Sequence, residues 1–116
     1  MQGYSGPEKR KHPRIEANFV VSYRVKDPSA RYDLSQTKNI SQGGILLITN
    51  QEFDKGTKLT IVIRFPLIPE KIEIDGAVID SKEVVRKLIY ETRIQFVNLN
   101  KEFFIKLGEF IKENLK

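Results

Sequence analysis

The chain has 116 residues, 40% of them hydrophobic, and its 20 Lys and Arg against 15 Asp and Glu leave a formal charge of +5. That length closes one hydrophobic core and leaves no room for a second domain. With no cysteine and a single histidine, His12, a disulfide framework, thiolate zinc sites and the several imidazoles of a catalytic metal centre are all excluded, so neither a metal nor a resident cofactor is expected.

Residues 1–9 combine Gly3, Gly6 and Pro7 with polar neighbours, which reads as a flexible tail with too little apolar surface to order itself. The same stretch lacks the apolar middle of a secretory signal, and no run in the chain approaches the roughly 20 apolar residues that span a bilayer. A soluble, cytoplasmic protein is expected. The positive excess sits in one arm, where residues 8–14 hold Lys9, Arg10, Lys11 and Arg14 against Glu8 alone. Such an arm favours an anionic partner.

From residue 15 to residue 25 the odd positions Ile15, Ala17, Phe19, Val21, Tyr23 and Val25 are apolar. Glu16, Asn18, Ser22 and Arg24 are polar, and only Val20 breaks the alternation. Period two predicts a strand with one wet face. "KDPSAR" is a turn by composition, and "YDLSQTKNI" continues as a second, more polar strand to about Asn39. "SQGG" interrupts it, "ILLITN" forms a short apolar strand, and "FDKGT" breaks the chain before "KLTIVIRF", where Leu59, Ile61, Ile63 and Phe65 share a face. After "PLIPE", "KIEIDGAVIDSKEV" is a strand alternating through Ile72, Ile74, Gly76 and Val78, and "LIYETRIQFV" is one alternating through Leu88, Tyr90, Thr92, Ile94 and Phe96.

The period then changes. Phe103, Phe104, Leu107, Phe110, Ile111 and Leu115 recur at spacings of three and four behind Asn100, a candidate N-cap. This predicts an amphipathic helix over about 100–115. Gly108 inside it costs about 1 kcal/mol relative to Ala, so the helix depends on docking its apolar stripe. The fold expected is mainly β: a small six-stranded antiparallel β-barrel, closed to remove its edges, with a C-terminal α-helix over one mouth. Residues 10–116 form that single domain.

Two short patterns carry chemistry, "RKHPR" at 10–14 and "NISQGG" at 39–44. Each alone has a plain reading, as a solvated charged arm and as a Gly- and Asn-rich turn. Together and in this order they resemble the PilZ domain, a bacterial receptor family for the second messenger cyclic di-GMP. The family's RxxxR motif maps onto Arg10 and Arg14, and its D/N-x-S-x-x-G motif onto Asn39, Ser41 and Gly44. The layout from "TKNISQGGILLIT" through "GTKLTIVIRFP" to "YETRIQFVNLNKEFFIKLGEFI" is also similar.

The resemblance implies that Arg10 and Arg14 clamp phosphate and guanine. Arginine suits that task because its planar fork makes paired charged hydrogen bonds to phosphate or to guanine O6 and N7. It further implies that Asn39 reads a guanine edge, that Ser41 bonds a phosphate or base, and that Gly44 lets backbone approach the ligand. Lys9 and Lys11 add field, Gly43 is a possible accessory, and His12 is a solvated spacer. Asn39 stands where many members have Asp, and it offers one acceptor oxygen where a carboxylate offers two. Some members place an aromatic or basic residue near the strand "GAVIDS" at 76–81, and this segment offers neither.

The function implied is a second-messenger receptor whose arm orders on cyclic di-GMP and signals to a downstream protein. Two alternatives compete with it. A nucleic-acid-binding barrel would use the basic arm and outward aromatics, yet Phe19, Tyr23, Phe65 and Phe96 fall on the core phase and leave mainly Tyr32 outward. A PilZ-like adaptor would bind proteins and no nucleotide. Catalysis is not expected, since no Ser-His-acid set or phosphate loop appears, and Glu73 and Asp75 read as one wet strand face.

Overall fold

A computed structural model describes residues 15, 16, 19–27, 29–64 and 71–113. In chain order they form β1 (Ile15–Glu16), β2 (Val20–Val25), β3 (Asp33–Ile40), β4 (Gly44–Thr49), β5 (Lys58–Arg64), β6 (Lys71–Val85), β7 (Ile89–Val97) and α1 (Lys101–Glu113). The strands neighbour one another in the order β3-β2-β5-β6-β7-β4, and β4 pairs back onto β3. Six antiparallel strands therefore close into a barrel, with α1 following them, as the hydrophobic alternation predicts. The two residues of β1 add to β3 beside β2.

The interior is filled from every strand, with Val21, Ile40, Leu47, Leu59, Ile61, Ile63 and Ile94 almost wholly removed from water. Each such side chain contributes about 1.5–3 kcal/mol of burial. Tyr23 lies among them, its ring edge-on to Phe53 at 6.1 Å between centroids. Burial raises the Tyr23 hydroxyl pKa above its ordinary value. Polar groups inside the wall are paired as well. Buried Thr92 of β7 shares hydrogen bonds with Ser81 of β6 at 2.7 Å and with Thr49 of β4 at 2.8 Å, and Thr49 Oγ1 donates to the Gln51 carbonyl at 2.9 Å.

The sequence reading needs correcting in three places. Residues 15–25 are not one strand, because Ile15 pairs with Ile40 while Val20 pairs with Gln36, registers that differ by one residue. The step is absorbed around Phe19, whose amide donates to Thr37 Oγ1 and whose carbonyl accepts from the Thr37 amide, each at 3.0 Å. Val25, placed inside by the alternation, is 40% exposed where β2 runs out. Leu88 is likewise outside, at 64% exposure, because it lies in the β6–β7 turn. In that turn Lys87 takes a positive φ of 59° and its amide donates to Glu83 Oε2 at 2.9 Å. β5 covers β6 only from Lys71 to Ala77, so the hairpin runs on past the barrel wall.

The helix begins where the capping residue predicts. Asn100 Oδ1 accepts from the Phe103 amide at 3.1 Å, and the Asn100 carbonyl accepts from the Phe104 amide at 2.8 Å. Glu102 in the first turn and Lys112 in the last complement the helix dipole. Phe103, Leu107 and Ile111 are buried in the core cluster, while Phe110 packs its ring 5.6 Å from that of Phe19. Leu115 lies outside the described residues.

Candidate functional site

The C-terminal end of β3 is shaped by a bulge. Thr37 pairs with Leu47 and Asn39 with Leu46, which leaves Lys38 as the extra residue between them. Thr37 and Ile40 are fully buried, Lys38 is exposed and Asn39 is half-buried. A bulge re-aims side chains in this way, so that two neighbours face outward in succession. Lys38 Nζ lies 2.7 Å from Glu91 Oε2, and that hydrogen bond raises its pKa above the ordinary lysine value.

Registers across the wall place Asn39 in a row. On one side it pairs with Glu16 of β1, and on the other with Leu46 of β4, which pairs with Arg93 of β7, which pairs with Asp80 of β6. Strand spacing puts Arg93 about 10 Å from Asn39. Arg93 holds Asp80 with two hydrogen bonds, Nε to Oδ1 at 3.0 Å and Nη2 to Oδ2. The pairing lowers the Asp80 pKa and raises that of Arg93.

The turn after β3 is held from inside itself. The Ser41 amide donates to the Gly44 carbonyl at 2.9 Å, and Ser41 Oγ accepts from the amides of Gly43 and Gly44 at 3.1 and 3.2 Å. Ser41 is buried, so its hydroxyl oxygen has these amides as close partners. Outward ties follow: the Gly43 carbonyl accepts from the Phe96 amide at 2.9 Å, and Gln42 Nε2 donates to the Phe104 carbonyl of α1 at 2.8 Å. A Cβ on Gly44 would collide with the Ile94 carbonyl oxygen of β7. Strand packing alone therefore requires glycine at that position.

Asn39, Ser41, Gly43 and Gly44 are thus brought together on one short stretch. Lys9, Arg10, Lys11 and Arg14 lie outside the described residues. The chain enters the barrel at Ile15, which follows Arg14 in sequence and pairs with Ile40, the residue between Asn39 and Ser41. Sequence reasoning passed over two residues here. Arg93 brings a guanidinium against residues 76–81 from the neighbouring strand, which only strand register reveals. Gln42 resembles any polar turn residue, and its one trace in the sequence is the glycine at 108 in an otherwise apolar helical stripe.

Elsewhere, Tyr32 faces outward, 42% exposed, with the Arg24 guanidinium 4.7 Å from its ring centroid. Tyr23 and Phe96 are buried and Phe19 is half-buried against the core, whereas Phe65 lies outside the described residues. Asp75 pairs with Lys26 at 2.6 Å on the wet face of β6.

The fold and the arrangement at the end of β3 define a small closed β-barrel with a polar turn locked beneath a terminal helix. The family model of the PilZ domain matches residues 8–113, and the chain belongs to that family. No curated protein matches the chain by sequence. Among solved structures it is similar to the Bacillus subtilis inhibitor of motility MotI/DgrA, with a TM-score of 0.76 and 18% identity over 94% of this chain and 53% of that one. It is similar to the PilZ domain of YcgR from Escherichia coli, solved with c-di-GMP, with a TM-score of 0.69 and 15% identity over 92% of each chain. The K. pneumonia MrkH–c-di-GMP complex gives a TM-score of 0.73 and 18% identity over 92% of this chain and 52% of that one. The chain therefore spans about half the length of MotI/DgrA and MrkH, and at these identities the likeness is one of fold.

Proposed function

We propose that this domain is a receptor for cyclic di-GMP, with Arg10 and Arg14 clamping phosphate and guanine against the turn at residues 39–44. The observation that carries this reading is the pairing of Ile15 with Ile40 and of Glu16 with Asn39. It joins the RxxxR arm to the barrel beside the N-x-S-x-x-G motif, and the MrkH and YcgR domains solved with c-di-GMP share the fold. Asn39 reads a guanine edge from the outward position the bulge gives it. Ser41 acts on the ligand by fixing the amides of Gly43 and Gly44, and Gly44 brings backbone close. Lys9 and Lys11 add positive potential, and Arg93 supplies a planar cation on the same cross-strand row.

Ordering the arm costs about 1–2 kcal/mol per residue, and each charge-assisted hydrogen bond returns about 1.5–3 kcal/mol. The near balance makes binding moderate and couples it to folding of the arm, whose ordered form is a surface for a downstream protein to read. The domain acts as a receptor and catalyses nothing. Among the described residues no helix is long and apolar enough to cross a membrane.

Calorimetric titration with cyclic di-GMP tests the reading. The natural chain binds, Arg10→Ala and Arg14→Ala each lose most of the affinity, and Arg14→Lys, which keeps the charge and loses the fork, stays weak. A natural chain that gives no heat with cyclic di-GMP but binds single-stranded nucleic acid with a steep salt dependence is instead a nucleic-acid barrel.

A further inference from the structure

The turn that carries Ser41 and Gly44 reaches α1 through one side chain. A carbonyl inside a helix ordinarily accepts only the amide four residues on, and that residue's Cβ, tilted toward the helix N-terminus, crowds the approach. For the Phe104 carbonyl the residue four on is Gly108. A Cβ there would collide with Gln42 Nε2 and lie 2.8 Å from Gln42 Cδ. The glycine that weakens the helix therefore opens the path by which Gln42 Nε2 donates to Phe104 at 2.8 Å. The same helix bears on the arm's side of the site, because Phe110 packs against Phe19, which lies between β1 and β2. The helix thus meets the 39–44 turn directly and, through Phe19, the stretch between β1 and β2.

We infer that Gln42 is a positioning residue that couples the residue 39–44 turn to α1, so that occupancy of the site and docking of the helix stabilise each other. The inference rests on the cyclic di-GMP reading. Coupling of this kind is reciprocal: whatever factor the docked helix adds to ligand affinity, the ligand adds to helix docking. One hydrogen bond sets that factor at roughly 3- to 10-fold.

Amide exchange along α1, with and without cyclic di-GMP, tests the coupling in the natural chain, Gln42→Ala and Gly108→Ala. In the natural chain the ligand slows α1 exchange roughly 3- to 10-fold. Both variants bind more weakly by about the same factor, and the slowing nearly disappears. Gly108→Ala is the sharper arm, since it displaces only the flexible end of Gln42 while raising helix propensity. Its α1 amides exchange at close to the natural rate without ligand, the added helix propensity offsetting the lost bond, even as affinity falls, whereas a residue that merely supports the fold moves both in one direction. If the natural chain binds but both variants bind equally tightly and α1 responds alike in all three, the coupling is overturned and the receptor reading stands. If the natural chain does not bind cyclic di-GMP, both fall.

Discussion

At the end of the barrel that carries residues 41–44, backbone is held by contact: Gly44 against the Ile94 carbonyl, Gly43 on the Phe96 amide, Gln42 on α1. At the opposite end the chain is held by local conformation. Gly56 sits at φ +90° with nothing within 4 Å of the position its Cβ would take, and the β6–β7 hairpin extends with Val84, Val85 and Leu88 in solvent. Leu34, Ile48, Leu88 and Ile89 line a shallow hollow there. Substitutions at the first end act through collision and lost partners. At the second they act through the preferences of single residues, which cost less.

Four measurements break or sharpen this contrast. Gly44→Ala has the largest effect, because its Cβ meets backbone that cannot turn aside; urea unfolding shows a loss of about 3 kcal/mol. Ser41→Ala follows, at about 2 kcal/mol by the same method, since the Gly43 and Gly44 amides lose their shared acceptor inside the turn. Gly56→Ala costs about 1 kcal/mol from its backbone conformation alone. Equal losses at Gly44 and Gly56 would erase the distinction between the two ends.

The smallest effect is electrostatic. Asp80 titrates below its ordinary range when folded because Arg93 holds its charged form. Its contribution is therefore present above the unfolded carboxylate pKa and is lost as pH falls through the folded value. Both side chains are about half exposed, so solvent screening limits the pair to about 0.5 kcal/mol. The stability of Asp80→Asn lies below that of the natural chain by this amount at neutral pH, and the two curves meet in acid.

Much of the fold was legible because barrel strands bury one face and announce it by alternation. The break at Phe19 was not, since Ile15, Val21 and Tyr23 all keep odd, inward positions across it and a register step leaves no mark on that parity. The reach of β6 was legible, since "KIEIDGAVIDSKEV" at residues 71–84 reads as one strand and β6 runs Lys71–Val85, even though beyond Ile79 no face is buried deeply enough to impose a period. Asn100 was readable as a cap because its chemistry is local. The two motifs were readable as a pair, and the register of β1 on β3 shows how the barrel entry meets the second of them. Arg93 and Gln42 escaped notice because their partners lie 13 and 62 residues away, a separation that no spacing rule covers.

The hydroxyl chain through Ser81, Thr92 and Thr49 also acts on misfolding. Apolar burial polices strand alignment only where a face is dry, and the overhanging hairpin has little dry face with which to reject a shifted pairing. Sliding β7 by one residue against β4 would break the Thr92 bond to Thr49, and against β6 the bond to Ser81, each at a cost of about 0.5–1.5 kcal/mol. Three small alcohols thus work as a combination lock, admitting one alignment of β4, β6 and β7 and penalising the rest.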